Sequence, residues 1–168
     1  MTACEVPVMP QTGTRLTPSS MVRRATVMDI DVLIEMGRGF LAYSAYGQSV
    51  PFDQDQMARG LCAVLDAGVI FVAEKDGEII GGIAGCMSAL WFSPSTKIAT
   101  EMAWWMKPEH RGSKLAIKLL REFERWGKER GASHVVMSDL IIEGGTPAGQ
   151  LFEKLGYVLV ERSHVKGV

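Results

Sequence analysis

Between residues 113 and 130 the apolar side chains Leu115, Leu119, Leu120, Phe123 and Trp126 return at helical spacing. Lys118, Glu122, Arg125 and Glu129 fall on the other side, where they are placed to pair one turn apart. This pattern predicts a long amphipathic helix over Ser113–Arg130, stopped by Gly131. Residues 69–74 follow a different rhythm, being apolar without interruption up to Glu74 as in a strand buried on both faces. Asp76-Gly77 then marks a two-residue hairpin turn, a returning strand runs from about Ile79 to Leu90, Ser93-Pro94-Ser95 turns the chain, and Lys97–Met106 reads as a fourth strand.

The flanking segments complete the order. Met21–Ala25 is a short first strand, and Thr26 with Asp29 three residues on resembles a capping box opening a helix with Ile30, Leu33, Ile34, Phe40 and Leu41 on its apolar face. Gly47–Phe52 is a loop, and Asp53 caps a second helix to about Ala67 with Met57, Leu61, Val64 and Leu65 inward. Beyond Gly131 the pattern gives a strand over His134–Leu140, a short helix over Pro147–Leu155 capped by Gly156, and a final strand over Tyr157–Val165. Residues 1–20 are rich in Pro, Thr and Ser without periodicity, which predicts an unpacked extension ahead of one domain over 21–168, with Met21 as an alternative first residue.

Composition narrows the class. The chain has 168 residues, 47% of them hydrophobic, enough for one core. A formal charge of −1 offers no global attraction to nucleic acid or an anionic membrane, so direct nucleic-acid binding is not expected and phosphate recognition must be local. No stretch reads as a signal segment or membrane span, and Cys4, Cys62 and Cys86 are odd in number and widely spaced. A soluble, reduced, cytoplasmic protein is the expectation. His110, His134 and His164 are scattered without ligand spacing, so no metal site is expected.

The local basic concentration falls where Trp104-Trp105-Met106-Lys107-Pro108 leads through Glu109-His110 into Arg111-Gly112-Ser113-Lys114-Leu115-Ala116. An apolar strand thus turns at a proline into a basic loop that opens a helix. The first N–H groups of such a helix lack intrahelical partners and its dipole favours negative charge, which makes an anion site suited to a phosphate or pyrophosphate. Adjacent Trp104 and Trp105 must point to opposite faces of their strand, so they do not form a base-stacking platform.

The element order and two motifs resemble the GNAT (Gcn5-related N-acetyltransferase) superfamily over about residues 21–166, and in style its small phage, prophage and bacterial members. The family signature of Arg or Gln, two residues, Gly, one residue, then Gly or Ala is similar to Arg111-Gly112-Ser113-Lys114-Leu115-Ala116, with Lys114 in the Gly position. Ala148–Tyr157 looks like the family's late helix and its Lys-x-Gly-aromatic ending. The resemblance implies an α/β (α+β) fold with a mixed, mostly antiparallel sheet of six to seven strands, splayed between strands 4 and 5 and flanked by about four helices. It also implies acetyl-CoA as co-substrate, with the pantetheine arm on Trp104, Trp105, Met106 and Lys107 and the pyrophosphate on Gly112–Ala116, Arg111 and Lys114 adding charge.

Transfer of an acetyl group from a thioester to an amine needs a base, because a lysine-like amine with a pKa near 10.4 is mostly protonated at neutral pH. Glu101, a carboxylate within an apolar strand, is the candidate, with a solvated strand glutamate as the alternative. The backbone N–H of Met106 or a neighbour is the candidate oxyanion donor. The family's late-helix tyrosine is replaced by Phe152, which leaves Tyr157, Ser138 or water to protonate the leaving thiolate. Tyr43 and Tyr46 with the loop after them are candidate substrate contacts, and Glu143, with Asp139, a candidate attractor of a cationic amine. The acceptor would be a small-molecule or protein amine. The apolar run Ala89–Phe92 is a candidate homodimer patch. Phe152 and Lys114 also leave open a non-catalytic acyl-CoA-binding or regulatory protein on the same fold.

Overall fold

The computed structural model describes residues 19–140 and 147–166. A five-stranded sheet runs in chain order, β1 (Ser20–Arg24), β2 (Val69–Lys75), β3 (Glu78–Leu90), β4 (Ser93–Met106) and β5 (His134–Val136). The first three pairings are antiparallel and β4–β5 is parallel. The helices are α1 (Ile30–Tyr43), α2 (Gln54–Ala67), α3 (Lys114–Glu129) and α4 (Pro147–Lys154).

Local chemistry accounts for most boundaries. Thr26 and Asp29 form the reciprocal capping box, closed by a single 3₁₀ turn before α1, and the Asp53 carboxylate accepts from the Gln56 N–H at the start of α2. Asp76 and Gly77 both have positive φ, 53° and 83°, the geometry of the type I′ turn that matches strand twist. On one face of the sheet α3 buries Leu119 and Phe123 completely, packed with Phe71, Ile80 and Ile83. On the other face α1 and α2 bury Leu33, Ile34 and Leu61 against Ile70 and Val72. Burying each such side chain contributes about 1.5–3 kcal/mol, so both sheet faces are firmly held.

Four expectations are corrected. The β3–β4 turn lies at Trp91 and Phe92, not at Ser93-Pro94-Ser95, and β4 already begins at Ser93. Proline is tolerated there because it sits at a strand start beside a register irregularity, where its missing N–H breaks no regular ladder. The fifth strand is shorter than His134–Leu140, and residues 157–166 have no strand partner among the described residues, which makes the described sheet one or two strands smaller than expected. Ser20 belongs to β1, and residues 1–18 lie outside the described residues.

Candidate functional site

The site is organised by one extra residue in β4. Ala103 pairs with Ala84 but Glu101 pairs with Gly85, so Met102 is a bulge and reverses which face later residues address. Ahead of it, Ala99 and Glu101 face α3, where Gly127 approaches Ala99 and Phe123 approaches Gly85. Past it, Trp104 packs on the α3 side against Phe152 of α4, ring centroids 5.6 Å apart, while Trp105 turns to α1 and meets Phe40 and Tyr43 at 6.0 and 5.4 Å.

The same strand has an open edge. The β4–β5 ladder ends at Thr100 and Val136, although β4 continues to Met106. Lys107 donates its N–H to the Ile80 carbonyl at 2.9 Å. By antiparallel alternation the main-chain groups of Met106 and Trp104 therefore point away from β3 into the splay. They form a short row of hydrogen-bonding groups with no strand opposite among the described residues.

Glu101 stands where this edge opens. It is 8% exposed, and its carboxylate accepts a hydrogen bond from the Ser138 N–H at 3.1 Å. Burial pushes its pKa up to about 7, opposed by that bond. A carboxyl group balanced between its two forms near neutral pH is suited to take and release a proton. Ser138 thus meets Glu101 through its backbone, not its hydroxyl.

The loop Lys107–Ser113 carries the chain from β4 into α3. After a 3₁₀ turn at Pro108–His110, Gly112 takes φ +74°, a conformation glycine adopts readily, and Ser113 leads into α3. A Cβ on Gly112 would meet no atom within 4 Å, so the backbone there lies open to a ligand. Lys114 and Leu115 open the helix, and Leu115 and Ala116 are buried on its inner face. The Ser113 hydroxyl and the Trp104 indole N–H are buried without a hydrogen-bond partner among the described residues. Arg111 leans back from the loop, its guanidinium 4.2 Å from the Tyr43 ring centre and 4.5 Å from that of Trp105, its Nε donating to the Met106 carbonyl at 3.4 Å.

Beside that stack is a cleft of about 880 Å³ between α1 and the end of β4, bounded among others by Asp31, Glu35, Gly39, Tyr43, Trp105 and Arg111. Tyr43 lines it, and Tyr46 is exposed on the 3₁₀ turn that follows α1. Asp31 and Glu35 were not singled out in the sequence, since two carboxylates one turn apart are ordinary on an exposed helix face. Lys107 is held in an ion pair by Glu78. Tyr157 donates its hydroxyl to Glu124 of α3 at 2.9 Å and is half-buried, and burial together with this bond raises its pKa well above the usual tyrosine value. That bond ties the C-terminal segment to α3. Glu143 lies outside the described residues.

A mixed sheet splayed beside a bulged strand, with an open helix start at the end of that strand, frames the candidate site. The sequence profile of the Acetyltransferase (GNAT) family matches residues 39–157, and the chain belongs to this family. Among solved structures it is similar to AAC(6′)-Iy in complex with the bisubstrate analogue CoA-S-monomethyl-acetylneamine, at TM-score 0.71 and 18% identity over 89% of this chain and 98% of that one. A "predicted acetyltransferase with acetyl-CoA" from Clostridium acetobutylicum gives TM-score 0.68 and 16% identity over 89% and 96% of the two chains. A ribosomal-protein-alanine N-acetyltransferase from Brucella melitensis gives 0.68 and 15% over 89% and 99%. At these identities the likeness is one of fold. No curated protein matches the sequence.

Proposed function

We propose that the protein is an N-acetyltransferase that moves the acetyl group of acetyl-CoA directly to a primary amine, with Glu101 as general base. The observation that carries this reading is a buried carboxyl group with a pKa of about 7 at the point where β4 loses its β5 partner. Family membership supports acetyl transfer, and the complexes of AAC(6′)-Iy and the Clostridium protein support acetyl-CoA as the donor.

The residues present fit that donor. The outward main-chain groups of Trp104 and Met106 suit the amides of a pantetheine arm, and the N–H groups of Gly112, Lys114 and Leu115, beside the unpartnered Ser113 hydroxyl, suit a pyrophosphate, while those of Ser113 and Ala116 donate to His110 and Ser113 carbonyls. Lys114 and Arg111 add charge that the loop backbone alone would not supply. Bound acetyl-CoA supplies an activated thioester carbonyl. Glu101 accepts the amine proton, directly or through one water, and the Ser138 N–H steadies the carboxylate while it is ionised. The Met106 N–H offers a donor toward developing negative charge on the free side of β4. With Phe152 lacking a hydroxyl and that of Tyr157 bonded to Glu124, water is the simplest proton source for the leaving thiolate.

The test is thiol release from acetyl-CoA in the presence of an amine panel, alongside calorimetric binding of CoA. The expected result is amine-dependent release that Glu101→Gln lowers by roughly 10²–10³-fold in kcat with CoA affinity retained. CoA binding without release for any amine would instead identify a CoA-binding protein.

A further inference from the structure

We propose that the Trp104 indole N–H donates a hydrogen bond to the sulfur of coenzyme A as the thiolate leaves, which makes Trp104 a catalytic residue beside Glu101. The inference rests on the acetyltransferase reading and supplies the donor that reading lacks at sulfur. Its first support is an idle donor. The indole nitrogen of Trp104 is buried without a hydrogen-bond partner among the described residues, an unfavourable state that a ligand's acceptor would relieve.

The second support is placement. Glu101 lies opposite Gly85 and Trp104 opposite Ile83, so the Met102 bulge makes them neighbours on the α3 face, roughly 6–7 Å apart at about 3.3 Å per residue of β3. Without the extra residue, alternation would give that face to Ala103 and Trp105 and turn Trp104 away. The loop that suits a pyrophosphate follows Met106 and the base precedes Trp104, so a pantetheine arm spanning the two passes Trp104 before its sulfur end reaches Glu101.

The third support is the company Trp104 keeps. It packs on Phe152 of α4 with ring centres 5.6 Å apart, and Phe152 packs on Tyr157 at 5.5 Å. Phe152 has no polar group and the Tyr157 hydroxyl is bonded to Glu124, so of the three rings Trp104 alone has a donor to offer. In the transfer the amine nitrogen bonds the carbonyl carbon, the carbon–sulfur bond breaks with its electron pair left on sulfur, and the amine proton passes to Glu101. The indole keeps its own proton and stabilises the thiolate through the hydrogen bond until water protonates the sulfur.

Two measurements with the full chain test the proposal. In the first, the thiol of bound coenzyme A is titrated by its thiolate absorbance in the ultraviolet. Its pKa should be about one pH unit lower in the parent than in Trp104→Phe, which keeps a ring against Phe152 and loses the N–H. Glu101 and Glu124 raise this pKa when ionised, the latter already paired with Arg121, and Arg111 and Lys114 lower it. All four are common to both proteins, so the difference reads the indole. Trp126→Phe is the control, because its N–H is also unpartnered but its ring stacks on Phe123 and borders Val22 and Phe71 on the β1 side, and it should match the parent. With amines, Trp104→Phe should lower kcat roughly 10-fold and leave the KM for acetyl-CoA within about twofold.

In the second, the Trp104 indole N–H resonance of the parent, identified by its loss in Trp104→Phe, is followed by NMR. It should move downfield with coenzyme A above the thiol pKa and stay in place with desulfo-coenzyme A. Equal thiol pKa values in parent and Trp104→Phe, dependence on the Ser138 hydroxyl in Ser138→Ala instead, or the same indole shift with desulfo-coenzyme A would overturn the assignment and leave the acetyltransferase reading intact. A lowered thiol pKa that Trp104→Phe abolishes, with no release for any amine, would overturn the acetyltransferase reading and keep the indole as a donor to bound thiolate.

Discussion

At the scale of single residues, Glu101 combines chemistry with a cost to folding. Its pKa is about 7 in the folded protein against 4.5 ordinarily, so between those values the native state holds a proton that the unfolded chain has lost. Stability associated with this group is fully present below pH 4.5 and is lost as pH rises through about 7. Glu101→Gln should therefore be more stable than the parent at pH 8, by up to about 3 kcal/mol at 1.36 kcal/mol per pH unit, and close to it near pH 5, as urea titrations at the two pH values would show. Tyr157 has the opposite character. Tyr157→Phe removes the hydroxyl bonded to Glu124 and should cost about 1 kcal/mol in the same titrations while changing kcat by less than about threefold. The sequence marks Glu101 as a carboxylate among apolar neighbours, but its burial depends on Ser138 arriving from 37 positions away, which no local pattern contains.

At the scale of elements, two junctions fix the site. The cap of α1 is also an ion-pair node, since Arg23 of β1 bonds both Asp29 oxygens at 2.9 Å and Glu74 of β2 at 2.9 Å, and Asp29 accepts the Thr26 N–H at 2.8 Å. These bonds, led by that of Arg23, hold the Asp29 pKa down at about 2. Asp29→Ala removes a cap and leaves Arg23 half-paired, with an expected loss of about 2–4 kcal/mol by thermal or urea unfolding. The stability from Asp29 should fade in the parent as pH drops from about 4 towards 2. The other junction is Gly85, opposite Glu101, where a Cβ would stand 2.5 Å from the Phe123 ring and 2.6 Å from the Thr100 carbonyl. Gly85→Ala should destabilise by about 1–3 kcal/mol and displace β3 from β4 beside the bulge. The cap, the Asp76-Gly77 turn and α3 were legible because each is written within a few residues. The Met102 bulge was not, because a bulge is a property of register between two strands and its sequence is unremarkable.

At the scale of the molecule, the sheet separates two kinds of work. Its α3 face holds the larger aromatic core, and its α1 face carries the cleft, with the free edge of β4 between them. The splay follows from β5 being only three residues long beside a strand of fourteen. The hydrophobic pattern in the sequence placed the order of elements along the chain and the helix start at the end of β4, and the GNAT profile spans residues 39–157 of it. It overestimated the C-terminal strands, because strand propensity expresses packing against a partner, and residues 157–166 have none among the described residues. Nor did it show the seat of Arg111 on Tyr43 and Trp105, which joins side chains from α1, β4 and the following loop. No helix among the described residues is long and apolar enough to cross a membrane, and no cluster of His, Cys, Asp and Glu among them is arranged to hold a metal ion.

The central claim is that Glu101 is the base for acetyl transfer, and the most direct measurement is kcat/KM for thiol release from about pH 5 to 9, in the parent and in Glu101→Gln. The account predicts a rise through an inflection near pH 7 in the parent, and in the variant a rate lower by roughly 10²–10³-fold with that inflection gone. An unchanged profile in Glu101→Gln, with the same inflection and a similar rate, would contradict it.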